Sequence, residues 1–527
     1  MKNFDILFVF PPAGNHEHPH LGLPLLKGYL KNRGVENSVI RDYNAPLMED
    51  ILIRELRHQS DERDMAKNYQ ELKEIMRGTD PESVLKSGIA LNIISKYLRM
   101  LGDSINKQSL DPASFHRIIN EYNNEEYEDA ITDYINNTVI SDIIRHNARI
   151  IGFSVVFPSQ IFYMLYICRE IRRKCLDVKI VLGGPQISLF WKALTARLEI
   201  RPLFDALVLE QGEIPMYELA MLWLENEGCI EDIPNIIYCA ENGDIVKNNT
   251  VGSVTMDEVA VPDFSDYNLS DYAFAKLPYM LSRGCYWGLC RFCGYRGNKN
   301  EYIESSVERV ISDLAYMRDK YNVNIFHFMD DAISPAYLDN LSTVLIEKKL
   351  NITYAAYLKT EKEFTADLCR KLYKSGLKSV LFGFESANNR ILQEMHKNSE
   401  LETTVNVLEN FRKSGIMNYL SCIIGFPTET REEAFETIEF LKNNKHLYYK
   451  AYITPFRLMP GNIDDLEESG IYDIDIYNPV RHDINGYISL EIPFRCKHGM
   501  TNFEYMDMVS KAREVAGTTP HGPIFYR

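Results

Sequence analysis

The stretch Ser282-Arg283-Gly284-Cys285-Tyr286-Trp287-Gly288-Leu289-Cys290-Arg291-Phe292-Cys293-Gly294-Tyr295 sets three cysteines within nine residues. Three thiolates hold three corners of a [4Fe–4S] cluster and leave one iron without a protein ligand. That iron is open to a substrate or cofactor, so the motif points to chemistry as well as electron storage. Phe292, just before the last cysteine, is placed to pack beside whatever occupies it. Zinc is the bland alternative, but it wants four ligands and often takes them from two matching CxxC pairs. No second pair lies nearby in the chain, which favours iron and sulfide.

Downstream of the cysteine loop, strands and helices alternate. Tyr279 to Leu281 reads as a strand that feeds the loop. Further strands are expected at Ile325–Met329, Ile352–Tyr357, Ser379–Phe384, Leu420–Ile424 and Ala451–Phe456, with apolar-periodic helices between them. Six such units make a partial parallel barrel, whose reactive residues belong at the carboxyl ends of the strands. The tail beyond Gly461 is mixed in pattern.

Upstream, Asp5 to Phe10 is β-rich and ends at Pro11-Pro12. A helix Leu21–Arg33, containing Leu23, and a strand Val35–Asp42 follow. From about 48 to 147 the spacing is helical and strand signals vanish, as in a helical insertion. Alternation resumes with strands at Arg149–Phe157, Val178–Leu182 and Ala206–Leu209, and a hairpin turns at Glu241-Asn242-Gly243-Asp244. This predicts a doubly wound α/β sheet that binds ligands at its carboxyl edge. The loops there carry Pro12, Ser154 to Gln160 (with Val156, Phe157 and Ser159), Gly183-Gly184-Pro185-Gln186 and Glu210-Gln211-Gly212. The domain plan is 1–247, a linker 248–277, a barrel 278–460 and a substrate-shaping region 461–527.

Bulk properties narrow the classes. The 527 residues suffice for two or three full domains, and the formal charge of −16 disfavours a nucleic-acid partner. The apolar runs are too short for a membrane span, and no secretory signal is expected from the strand-like start. Seven other cysteines (Cys168, Cys175, Cys229, Cys239, Cys369, Cys422, Cys496) are scattered without ligand spacing, as buried free thiols are, which suits a reducing, cytoplasmic setting.

The constellation resembles the radical S-adenosylmethionine (radical SAM) superfamily, in the branch with an N-terminal cobalamin-binding domain. It departs in spacing: this chain has C-x4-C-x2-C where C-x3-C-x2-C is common, and Gly288 is the residue expected to absorb the insertion. The form is similar to a variant loop among peptide-modifying members. Residue by residue, the resemblance implies that Met329, Asp330 and Asp331 hold the methionine amino group and that Lys359 meets its carboxylate. It implies further that Glu385 and Ser386 reach the ribose or carboxylate, that Ile424 and Gly425 pair with adenine, and that Arg457 faces cofactor or substrate. For the first domain it implies cobalamin over the sheet. The DxHxxG motif that places histidine under cobalt is missing; His16, His18 and His20 lie in the first loop at other spacings, so a displaced nucleotide tail is expected.

The resemblance thus implies three cofactors: a [4Fe–4S] cluster, S-adenosylmethionine and cobalamin. The expected reaction is methylation of an unactivated carbon through a 5′-deoxyadenosyl radical and methylcobalamin, on a peptide or small-molecule substrate, with a reducing donor such as flavodoxin or ferredoxin. A cyclase or ring-contracting enzyme on the same scaffold is the catalytic rival. A transfer-RNA methylthiotransferase is disfavoured because no cysteine precedes Cys168. A non-catalytic cobalamin or iron–sulfur sensor would need none of the cofactor-cradling strand motifs.

Overall fold

The computed structural model describes residues 5–14, 18–47, 128–174, 177–272, 275–294, 302–458, 462, 472, 474–476 and 494–517. They form two compact units, the first ending at Ala275 and the second starting at Lys276. Most of the expected helical insertion, 48–127, lies outside the described residues. Its last part is helical, with helices Ala130–Tyr134 and Ile140–His146.

The first unit is built on a seven-stranded sheet ordered β2-β1-β3-β4-β5-β6-β7. Its strands are β1 Ile6–Phe10, β2 Ser38–Asp42, β3 Ile150–Ser154, β4 Lys179–Gly183, β5 Ala206–Val208, β6 Ile236–Cys239 and β7 Ile245–Lys247. The first five run parallel, and β6 and β7 add the antiparallel hairpin. All residues of β1 and β3 are buried, as apolar runs covered on both faces should be.

Of residues 248–277, expected as a linker, those described from 248 to 272 pack within this unit. The Asp263 N–H donates to the Pro24 carbonyl at 2.9 Å, and the Tyr272 hydroxyl donates to Asp42 at 2.7 Å. Lys31 pairs with Asp263 at 3.1 Å, and Lys27 pairs with Asp266. Gly28 leaves the room, since a Cβ there would strike the Val261 carbonyl oxygen.

The second unit holds an all-parallel six-stranded sheet ordered β15-β14-β13-β12-β11-β8. Its strands are β8 Leu277–Tyr279, β11 Ile325–Phe328, β12 Thr353–Leu358, β13 Leu377–Glu385, β14 Met417–Ile424 and β15 Lys450–Pro455. Between β8 and β11, the short strands β9 Ser282–Arg283 and β10 Ile303–Glu304 pair antiparallel and frame the cysteine loop. Alternate residues on the long strands face the helices. Phe382 meets Phe411 at 5.0 Å and Phe384 meets Phe440 at 4.9 Å, while Phe328 stacks on Tyr354 at 4.8 Å. Such ring pairs add roughly 1 kcal/mol each beyond burial. The intervening positions Leu381 and Gly383 on β13 are half-buried. In the tail, β16 Ile474–Ile476 pairs with β17 Phe494–Cys496, and helix Asn502–Ala516 follows.

Two details differ from expectation. The first barrel strand ends at Tyr279, two residues before the expected end, and includes Pro278; β8 lies at the sheet edge, where a missing N–H is tolerated. Of the scattered cysteines, Cys168, Cys369 and Cys422 are buried, but Cys229 is exposed.

Candidate active site

The cysteine loop leaves β8 under the control of one buried carboxylate. Asp330, 2% exposed, accepts the Leu281 N–H at 3.0 Å, the Ser282 N–H at 2.6 Å and the Ser282 hydroxyl at 2.6 Å. Burial pushes its carboxyl up to about 7, against the pull of those donors. Asp330 is therefore a brace for the loop; of the acid pair, Asp331 is the half-buried member. The Met329 N–H is taken by the Tyr279 carbonyl at 2.8 Å.

Within the loop, Gly288 takes φ +61, a turn that a side chain would strain. The loop is then pinned to residues 394–398, between helices Asn389–Glu394 and Leu401–Lys413. The Arg291 N–H donates to the Met395 carbonyl at 3.0 Å, and the Trp287 indole N–H to the His396 carbonyl at 2.8 Å. Lys359, 3% exposed, lies 4.5 Å from the Trp287 ring centroid and donates to the Asn398 carbonyl at 3.1 Å and to Glu361 at 3.3 Å. The Arg291 guanidinium donates to the Tyr472 hydroxyl at 2.6 Å. Asn462 joins the end of the last strand to the loop by donating to the Phe292 carbonyl at 3.0 Å and the Arg457 carbonyl at 3.2 Å.

Cys285, Cys290 and Cys293 are free thiols of intermediate exposure. Burial pushes the Cys290 thiol up to about 11, while the Lys397 ammonium pulls it down and Glu385, Cys293 and Cys285 push it up. Among the described residues, no three histidine, cysteine or acidic side chains converge on a single ion. A four-iron cluster takes its thiolates at separate corners, and a cation beside them offsets its negative charge. The donor set fits that group.

The other expected cofactor residues are placed as follows. Glu385, at φ +62, accepts from Lys397 at 2.9 Å. Ser386 is 1% exposed and its hydroxyl caps the Asn388 N–H at 3.1 Å. Ile424 is fully buried, and its carbonyl accepts the Phe456 N–H at 2.8 Å. The Gly425 N–H donates to Glu429, a fully buried acid whose carboxyl burial pushes up to about 8. Lys397, Glu429 and the 394–398 wall went unassigned by sequence reasoning. The nearest signal was Glu429 four residues after Gly425 at a strand end.

At the carboxyl edge of the first sheet, the loops after β1, β3, β4 and β5 lie side by side. Gln160, fully buried, accepts the Val156 and Phe157 N–H groups at 2.8 and 2.9 Å and donates to the Pro11 carbonyl at 2.6 Å. Gly184, at φ +98, lets its loop lie against the Val155 backbone, where a Cβ would come within 2.6 Å of the carbonyl oxygen. Here the glycine serves loop packing. Gln186 donates to the Val156 carbonyl at 3.0 Å, and its Oε1 is buried with no hydrogen-bond partner. Pro12, Leu23 and Ser154 are buried. Ser159, Pro185 and Glu210 are exposed, with Gly183, Gln211 and Gly212 half-buried between them. Beside them the His20 ring stacks on Phe10 at 4.7 Å with Nε2 3.4 Å from the Ser154 hydroxyl, and burial pushes the imidazole down to about 4. An edge with an orphaned amide oxygen, two accessible glycines and a neutral imidazole fits a large polar ligand such as cobalamin.

Comparison with known proteins agrees with both units. The family model of the radical SAM superfamily matches residues 279–441, and that of the B12-binding domain matches residues 89–220. This chain carries a radical SAM domain and a B12-binding domain. Those domains bring with them a [4Fe–4S] cluster, S-adenosylmethionine and cobalamin. The chain is 29% identical over 283 residues to an uncharacterized methyltransferase, PH0819, of Pyrococcus horikoshii, covering 50% of this chain and 58% of that one. It is 21% identical over 378 residues to the anaerobic magnesium-protoporphyrin IX monomethyl ester cyclase of Rubrivivax gelatinosus, covering 67% and 66%. The chain thus matches less than two thirds of either relative's length. Among solved structures, the radical SAM methyltransferase TsrM of Kitasatospora setae superposes with TM-score 0.61 at 15% identity, covering 98% of this chain and 89% of that one. Among the described residues no helix is long and apolar enough to cross a membrane.

Proposed function

We propose that this protein is a cobalamin-dependent radical SAM methyltransferase that methylates an unactivated carbon of a peptide or secondary metabolite. The observation that carries the reading is the braced three-thiol loop at the carboxyl end of the first strand of a six-stranded parallel sheet, in a chain that also matches the B12-binding domain. When bound, the three cofactors supply one-electron reduction, hydrogen abstraction and a transferable methyl group. The chain's own residues position and shield. Asp330 fixes the loop entrance, Trp287 and Arg291 hold it against residues 394–398, and Asn462 ties it to the last strand.

For S-adenosylmethionine, Asp331 and the backbone around Met329 are proposed for the amino group, and Arg457 for the cofactor or substrate side of the last strand. Gly425 and the backbone of Ile424 are proposed for adenine. Lys359 is proposed to turn from Glu361 to the methionine carboxylate. Cobalamin is proposed along Ser159, Gly183, Pro185, Glu210 and Gln211, over loops that Gln160 and Gln186 hold in shape. A flavodoxin- or ferredoxin-like donor in the cytoplasm completes the reading.

The test is anaerobic reconstitution with cluster, cobalamin and S-adenosylmethionine, followed by mass analysis of candidate substrates. The expected result is release of 5′-deoxyadenosine together with product heavier by one methylene. The likeness to the Rubrivivax cyclase favours a second reading, in which 5′-deoxyadenosine is released and the product gains no carbon.

A further inference from the structure

We infer that the buried Lys397–Glu385 pair sets the reduction potential of the cluster held by Cys285, Cys290 and Cys293, Lys397 favouring the reduced state and Glu385 opposing it. The inference rests on the cysteine loop holding a [4Fe–4S] cluster. Lys397 is 8% exposed and Glu385 4%, with Nζ 2.9 Å from the carboxylate oxygen. The ammonium lies 5.4 Å from the ring centroid of Phe292, the residue between two of the cysteine ligands.

The chain provides for this placement in two ways. Glu385 adopts φ +62 where the register of β13 against β14 shifts, a conformation that non-glycine residues rarely adopt. At Gly383 a Cβ would collide with the Lys397 ammonium and stand 2.6 Å from the Glu385 carboxylate, so the absent side chain is the space the pair occupies.

Buried ion pairs are weak contributors to stability, because desolvation offsets their attraction. Their field nonetheless acts strongly on nearby charge where the dielectric is low. Reduction adds one electron to the cluster from a low-potential donor and moves no other group. A fixed positive charge favours that step and a fixed negative charge disfavours it.

The test is potentiometric titration, followed by electron paramagnetic resonance, of the full-length protein reconstituted anaerobically without S-adenosylmethionine. Iron and sulfide content is checked in each variant. Lys397→Met is expected to disfavour reduction about tenfold, which is 59 mV downward for a one-electron couple. Glu385→Gln is expected to shift the potential upward by a similar amount, and Lys397→Arg to stay near the parent. Should Lys397→Met lose the cluster, the upward shift in Glu385→Gln decides. Potentials that do not move with the cluster intact, or shifts of the same sign in both variants, would overturn the inference. A parent protein that assembles no cluster would overturn the underlying reading and this inference with it.

Discussion

Replacing Asp330 separates a brace from a ligand. Its carboxylate oxygens satisfy the backbone N–H groups of Leu281 and Ser282, residues that are fully buried and 3% exposed. Asp330→Ala leaves both donors without an acceptor. A buried unpaired donor costs about 1–3 kcal/mol, so the pair costs about 4 kcal/mol. For a unit of this size about 3 °C of melting temperature goes with each kcal/mol, which gives a drop of about 12 °C. Asp330→Asn keeps one carbonyl oxygen where the Ser282 N–H and hydroxyl point, and its cost is about 1 kcal/mol. The assay is thermal unfolding of the cluster-free protein, paired with iron retention after reconstitution. The Ala variant should melt far lower and lose iron faster, and the Asn variant should lie near the parent. Equal losses in the two variants, or an Ala loss below about 1 kcal/mol, would refute the brace.

Stability should also depend on pH in a set direction. Burial raises the Asp330 and Glu429 carboxyls to about 7 and 8, so the native state keeps protons that the unfolded chain releases above its ordinary values of 3.8 and 4.5. Stability therefore falls as pH rises from about 4 to about 8 and then levels. Glu429→Gln should flatten the upper part of that slope in denaturant titrations, and an unchanged slope would count against the buried acid. Gly184→Ala should destabilise the first unit by about 1–3 kcal/mol, read by urea unfolding, because it combines φ +98 with a collision at Val155. Trp287→Phe keeps a ring for Lys359 but removes the bond to the His396 carbonyl; a loss of about 1 kcal/mol is expected, with faster iron release.

The sequence made the periodic parts of this fold legible. Short, mostly apolar runs such as Ile6–Phe10 and Ile150–Ser154, alternating with helical stretches, suit a covered parallel sheet, and the cysteine spacing pointed to an iron–sulfur site. The contacts that position that chemistry were hidden for a physical reason. Residues 394–398 receive the loop largely through backbone carbonyls, and a carbonyl has no signature in a sequence. Asp330 read as a ligand because an acid at a strand end suits either role; only its burial against Leu281 and Ser282 distinguishes them. The first barrel strand was expected from Tyr279 and not from Leu277, since the tolerance of Pro278 at a sheet edge is a tertiary property. The polar, proline-containing stretch 248–277 read as a linker for a similar reason, since Lys27, Lys31 and Asp42, which anchor its part up to Tyr272, lie more than two hundred residues earlier in the chain.

The most direct test is iron and sulfide analysis of anaerobically reconstituted protein beside a variant with Cys285, Cys290 and Cys293 all changed to alanine. The parent is expected to hold iron and sulfide in the proportions of one [4Fe–4S] cluster, and the variant to hold almost none. Equal iron and sulfide in both, or stoichiometric zinc in the parent, would contradict the account.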